Sequence, residues 1–144
     1  MFDLLLALVI SGVVTDVHDG DTITVDYKHK IRLQYIDAPE LKQEAGEDAR
    51  DHLAYFAMGM PVNIDVAGKP DRYGRLLGVA RLGKKGSKGG KNLNETMLKD
   101  GYAWQYYDKD SRRAALMTQA RANYAGLWAE PKPIPPWQFR KPVT

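Results

Sequence analysis

Cysteine is absent from the 144 residues. That excludes disulfide bridges, Cys-ligated zinc and a thiol nucleophile together. Histidine is scarce as well. His18, His29 and His52 form no ligand spacing, so a zinc site is not expected. Long apolar runs are also missing. The stretch from Met1 to Ile10 is too short to span a bilayer, and nothing else in the chain competes with it. A secretory signal would open on a positive residue and end at a small-residue cleavage site, yet Asp3 stands where Lys or Arg belongs. Residues 1–8 are therefore expected to be a shortened signal remnant or the start of the first strand. The first alternative puts the protein in the periplasm or outside the cell, the second in the cytoplasm. No internal repeat and no linker divides the chain.

What is present describes one globular domain, long enough to bury a core without disulfides or a structural metal. Charge is unevenly spread. Residues 1–67 hold 12 Asp/Glu against 5 Lys/Arg, and residues 68–144 hold 6 against 16. Such a split suits a protein that meets both a cation and a phosphate chain.

Val9 to Val17 is rich in β-branched residues and reads as a strand. His18-Asp19-Gly20 supplies a hairpin turn. Asp21 to Tyr27 alternates, with Ile23, Val25 and Tyr27 on one face. Ile31 to Ile36 is the third strand, with Ile31, Leu33 and Tyr35 on one face, and Pro39 ends the sheet. Gly46 to Gly59 has helical spacing, with Glu47 and Asp48 in its first turn. Val62 to Val66 and Leu76 to Leu82 are two more strands. The Gly- and Lys-rich stretch from Gly83 to Lys91 is expected to be flexible and basic. Asn92 caps a short second helix that Gly101 ends. Ser111 to Ala125 is a third helix, with Ala114, Met117, Ala120 and Tyr124 inward. The Pro-rich tail cannot be helix or central strand over Pro131 to Pro136 and is expected to lie on the surface, anchored by Trp137 and Phe139. The fold class is α+β and mainly β: a five-stranded barrel of the oligonucleotide-binding type (OB-fold) with three helices around it.

Three clusters carry chemistry: Asp19-Gly20-Asp21-Thr22, the run from Arg32 to Glu40, and Asp71-Arg72-Tyr73-Gly74-Arg75. Asp21 opens one strand and Asp37 closes the next, so an antiparallel pair would bring them together. Two carboxylates at close range repel unless one is protonated or a cation lies between them. An all-oxygen donor set calls for a hard divalent ion, Ca²⁺ before Mg²⁺. Arg32 and Arg75 carry planar forks that match a phosphate. Strict alternation, however, puts Arg32 and Asp37 on opposite faces, so both serve one site only if a bulge or a strand end intervenes. Tyr73, Tyr106 and Tyr107 offer faces for base stacking. Lys84 and Lys85, in the basic loop, would add sequence-independent contacts to a nucleic-acid backbone. Singly, each cluster reads as a turn, a strand stop or a surface ion pair. Together they make a metal, a carboxylate base and two phosphate clamps.

At these motifs the chain resembles the staphylococcal nuclease family. Val17-His18-Asp19-Gly20-Asp21-Thr22 is similar to the family's metal-binding opening. Arg32-Leu33-Gln34-Tyr35-Ile36-Asp37-Ala38-Pro39-Glu40 is similar to its central signature, and Asp71 to Arg75 to its third motif. Asn92-Leu93-Asn94-Glu95 with Gly101-Tyr102-Ala103 matches its second-helix region, and Ala125-Gly126-Leu127-Trp128 its last helix. The likeness spans residues 9–130, with residues 131–144 as a tail packed on the domain. The resemblance implies a calcium-dependent nuclease that cuts DNA and RNA with little sequence specificity and leaves 3′-phosphate ends, and the chain is expected to be a monomer. It implies Asp21 and Asp37 as metal ligands with the backbone carbonyl of Ala38. Glu40 would be the general base, and Arg32 and Arg75 would hold the scissile phosphate. Arg72, Tyr73 and Tyr107 would line the substrate pocket. Replacing Arg32 or Arg75 by Ala, or Glu40 by Gln, is expected to lower turnover by about 10² or more with the fold intact. Few protein oxygens face the ion, so calcium affinity is expected to be weak, about 10⁻⁴–10⁻³ M. Two other readings compete: a non-catalytic nucleic-acid-binding barrel and a structural calcium module. The five retained side chains disfavour the first, and the basic second half disfavours the second.

Overall fold

The computed structural model describes residues 8–141. Residues 1–7 and 142–144 lie outside the described residues, and with them most of the expected signal remnant. The chain forms β1 (Leu8–Asp19), β2 (Thr22–Val25), β3 (His29–Leu33) and β4 (Ile36–Asp37), then α1 (Gly46–Ala57). After these come β5 (Pro61–Ala67), β6 (Leu76–Leu82), α2 (Leu93–Lys99), β7 (Trp104–Gln105) and α3 (Ser111–Ala122). A 3₁₀ turn, Gly126–Ala129, and a one-turn helix, α4 (Pro136–Phe139), complete it. No helix among the described residues is long and apolar enough to cross a membrane.

Five strands close into a barrel in the order β1-β2-β3-β6-β5. Closure is possible because β1 is long enough to serve two neighbours. Its first half, Leu8 to Val13, pairs with β5, and its second half, Val14 to Asp19, pairs with β2. Register shifts between Val14 and Asp16 and between Val17 and Asp19 bend it around the barrel. The β3–β6 pairing is parallel and completes the ring.

Alternating side chains fill the interior. Val14, Ile23, Val25, Ile31, Leu33, Val62, Ile64 and Ala80 are buried in one cluster. Ala49, Leu53 and Ala57 of α1 and Leu93, Met97 and Leu98 of α2 join it. Each large side chain so buried contributes about 1.5–3 kcal/mol. A second, smaller cluster of Trp104, Ala120, Leu127 and Trp128 fastens α3 and the chain after it.

The barrel and three main helices match the sequence expectation, with local differences. β2 ends at Val25, because Asp26 and Tyr27 take positive φ (53° and 59°) to turn the hairpin, and Tyr27 points into solvent. α3 stops at Ala122, so Tyr124 (φ 55°) faces outward rather than inward. The tail contains α4, with Pro136 at its first position, where a missing N–H costs nothing. Trp137 stacks on Tyr106 while remaining about as exposed as Phe139, for which no such ring contact is found among the described residues. The basic loop is not free. The side chain of Asn63 donates to the Lys84 carbonyl (3.0 Å) and accepts from the Gly86 N–H (3.2 Å).

Candidate active site

Strand register positions the first carboxylate. Thr22 lies opposite Arg32, and the Leu33 N–H donates to the Asp21 carbonyl at 2.7 Å. Asp21 therefore sits beside the end of β3. Its Oδ2 accepts the Ala38 N–H at 2.8 Å, and its Oδ1 accepts the Thr22 hydroxyl at 3.0 Å. Gly20 makes this approach possible. A Cβ there would lie 2.7 Å from that of Ala38 and 2.9 Å from that of Ala49.

The chain after Leu33 departs from the expected strand. Gln34 and Tyr35 form a turn, with Tyr35 at φ 73°, and Ile36–Asp37 begin a new two-residue strand paired with β7. Tyr35 is consequently not the third member of a strand face. The turn also removes the conflict of period. It swings Asp37 back to the side of Arg32, which continuous alternation would have forbidden. Arg32 closes the turn by donating from Nη1 to the carbonyls of Leu33 (2.6 Å) and Ile36 (2.9 Å). Its Nη2 then stands 3.3 Å from Asp37 Oδ1 and 3.5 Å from Asp21 Oδ2.

Residues elsewhere support the turn. Buried Asn94 donates to the carbonyls of Gln34 (2.9 Å) and Gly78 (3.0 Å) and accepts the Ala80 N–H (3.0 Å). The Arg113 guanidinium lies 3.9 Å over the Tyr35 ring. Asp108 grips Arg113 at 2.6 and 2.8 Å, and that bond holds the Asp108 carboxyl down at about 2.

Asp21, Asp37, Glu40, Arg32 and Arg75 all line one groove of about 800 Å³, with Arg72, Tyr73 and Tyr107 along it. Ala38 is buried behind the groove wall. Lys84 and Lys85 are exposed and do not line it. His52 is also elsewhere, bonded to Asp100 at 2.7 Å, and His18 is the one histidine at the groove. Glu40 is held by the approach of α1, so close that a Cβ on Gly46 would collide with the Glu40 carbonyl oxygen. Arg75 bonds Asp71 through Nε at 2.8 Å, and among the described residues its terminal nitrogens are uncommitted. Burial opposes ionisation of Asp71, but the N–H groups of Arg75 and Tyr73 and the Arg75 side chain outweigh it and hold the carboxyl below the usual range. The Tyr73 ring is within reach of both cations, with Arg72 at 5.1 Å and Arg75 at 5.4 Å from its centre.

Three carboxylates, those of Asp21, Asp37 and Glu40, share two guanidinium groups, those of Arg32 and Arg140. Burial pushes Asp37 upward and the Asp21 charge adds to this, while Arg140 and Arg32 pull it back. Asp19 is pushed up to about 8, first by burial and then by the neighbouring Asp21 charge. Clustered, partly buried carboxylates with oxygen-only donors fit a hard divalent cation. Among the described residues no three carboxylate or imidazole groups converge as a protein-only cage. A cation at Asp21 and Asp37 would thus draw most of its ligands from water and substrate.

A further guanidinium, that of Arg140, reaches these carboxylates. Nη1 donates to Asp37 Oδ1 (3.2 Å) and to Glu40 Oε1, and Nη2 donates to Asp37 Oδ2 (2.5 Å). No local motif marks it. The available signal was a cation three residues beyond an aromatic anchor, Trp137.

The chain is similar to known nucleases. A family model described as staphylococcal nuclease homologue matches residues 30–130, which includes Arg32, Asp37, Glu40 and Arg75 but not Asp19, Asp21 or Arg140. An uncharacterised endonuclease of Escherichia coli O157:H7 is 39% identical over 136 residues, covering 91% of this chain and 85% of that protein. A micrococcal nuclease of Shigella flexneri is 37% identical over 141 residues, covering 90% and 80% respectively. A staphylococcal-like nuclease of Arabidopsis thaliana is 40% identical over 116 residues, covering 79% of this chain but 34% of the plant protein.

Proposed function

The chain belongs to the staphylococcal nuclease family, and from that premise we propose a nuclease that uses calcium, rather than magnesium, to hydrolyse DNA and RNA with little sequence specificity to 3′-phosphate ends. The observation that carries this reading is the Arg32 guanidinium reaching Asp37 at 3.3 Å and Asp21 at 3.5 Å in a groove that Glu40 and Arg75 also line.

Asp21 and Asp37 would hold the cation, with the Ala38 carbonyl as a further oxygen. When bound, the ion would neutralise the phosphate and lower the pKa of a coordinated water. Glu40, at the groove edge, takes the proton of the attacking water. A new bond forms from that water oxygen to phosphorus, and the bond from phosphorus to the 5′ oxygen breaks, that oxygen taking a proton from solvent water to leave as a 5′-hydroxyl. Phosphate thereby stays on the 3′ side. Arg75 meets the developing charge with its two terminal nitrogens. Arg32 is already committed to two carbonyls and two carboxylates, so it orients the carboxylates as well as facing the phosphate. Tyr73 and Tyr107 supply sequence-tolerant stacking faces.

The products test the direction of cleavage. A labelled oligonucleotide is digested with calcium and the fragments are weighed by mass spectrometry. Fragments ending in 3′-phosphate with 5′-hydroxyl partners support the reading, and 5′-phosphate ends contradict it.

A further inference from the structure

Asp37 is fully buried, and both of its oxygens accept from Arg140. Arg140 is separated from Asp37 by 103 residues of chain, so the contact depends on how the tail is docked. Three attachments dock it. The Gln43 side chain donates to the Ile134 carbonyl. Trp137 stacks on Tyr106 with ring centres 5.8 Å apart and meets Trp104 edge-on at 6.0 Å. The single turn of α4 then closes with the Arg140 N–H on the Pro136 carbonyl. Trp104 is in β7, which pairs with the strand carrying Asp37. The tail is therefore seated on the same small ribbon that presents the carboxylate.

We propose that Arg140 is an internal counter-cation: the docked tail sets its guanidinium on Asp37 and Glu40, and a divalent ion must displace it to use those carboxylates. The inference rests on the reading of Asp37 as a metal ligand and Glu40 as the base. Asp37 Oδ1 already accepts from Arg32 and Arg140, and Oδ2 accepts from Arg140. An ion bound at Asp37 would meet the Arg140 charge within the span of one carboxylate, where like charges repel strongly. Glu40 is engaged by the same guanidinium, so a docked Arg140 also occupies the group needed to accept a proton. Metal entry and release of the base then become one event. Docking and metal binding exclude each other, and the tail gates the site.

Calorimetric titration of metal-free protein with calcium chloride tests this without reading activity. Arg140→Ala is expected to bind calcium about tenfold more tightly than wild type, because one competing cation has been removed. Arg140→Gln, which keeps the side-chain stem, should do the same, and Arg140→Lys should fall between. A merely structural role would lower the melting temperature without raising calcium affinity. Calcium should also change the tryptophan emission of wild type as Trp137 leaves Tyr106, a change abolished in Trp137→Phe. Equal or weaker calcium binding by folded Arg140→Ala and Arg140→Gln overturns the inference and leaves the nuclease reading standing. If neither wild type nor the variants bind calcium, the metal reading fails first and the inference with it.

Discussion

Arg32 and Asp37 are five residues apart and would face away from each other along a continuous strand, yet their side chains meet at 3.3 Å. The turn at Gln34 and Tyr35 creates this contact, and Arg32 in turn holds the turn's carbonyls. Arg32 is thus both a clamp and a part of the scaffold. Arg32→Ala and Arg75→Ala should each cut turnover by about 10² or more. They should differ in stability. Losing Arg32 strips the Leu33 and Ile36 carbonyls of its guanidinium and takes one charged partner from Asp21 and Asp37, which keep the Ala38 N–H and Arg140 respectively, a cost of about 1.5–3 kcal/mol. Losing Arg75 removes a partly exposed pair with Asp71, a cost of about 1 kcal/mol or less. Urea unfolding of the two variants separates these cases, and equal losses would remove Arg32 from its scaffold role. Lys should not rescue either position, because a point charge cannot make the fork contact.

Asp19 predicts how metal-free stability depends on pH. Its folded-state value is about 8 against 3.8 in the unfolded chain. The native state therefore keeps a proton that the unfolded chain has given up. The contribution is complete below the unfolded value and is lost as pH rises through about 8. Unfolding of chelated protein across that range should show stability falling toward alkaline pH. Asp19→Asn should flatten the slope, and an unchanged slope would place the proton elsewhere.

Asn94 contacts no catalytic group, but it ties α2 to β6 and to the Gln34 carbonyl. Asn94→Ala would leave the buried Ala80 N–H and the Gln34 carbonyl short of a partner, while the Gly78 carbonyl keeps the Gln34 N–H, at about 1–3 kcal/mol for each unpaired group that water cannot reach. The turn should loosen with it. Thermal unfolding should show the loss, and activity measured well below the melting temperature should fall too. A destabilised variant with full turnover would mean that the turn does not depend on Asn94 for its geometry.

Lys84 and Lys85 stand outside the groove, so their effect should be on affinity rather than on chemistry. Changing both to Ala should flatten the dependence of DNA affinity on salt, by about 0.9 in slope for each phosphate no longer neutralised. Single-turnover cleavage at saturating enzyme should be unaffected. An unchanged salt slope would remove the loop from the binding surface.

Much of this was legible because local patterns agreed with the fold. Alternation in Ile23, Val25, Ile31 and Leu33 fixed the barrel interior, and Asn92 marked the start of α2. The acidic turn at Asp19-Gly20-Asp21 and the run from Arg32 to Glu40 marked one end of the barrel. The less legible parts depend on tertiary contacts. Period alone cannot reveal the break at Tyr35, because a non-glycine residue with positive φ gives no compositional warning. Nothing near Arg140 hints at Asp37, since their meeting depends on Trp137 finding Tyr106 and Trp104. Lys84 and Lys85 announced a basic loop, but composition could not say that Asn63 would tie it down away from the groove.

The most direct test is cleavage of plasmid DNA and single-stranded RNA by the purified protein, with calcium and then with excess chelator, beside folded Glu40→Gln. Calcium should allow both nucleic acids to be degraded, chelation should stop it, and Glu40→Gln should bind DNA but cut at least about 10² more slowly. Cutting that persists in chelator, or Glu40→Gln cutting at the wild-type rate, would contradict a site in which carboxylates, guanidinium groups and a hard cation act together.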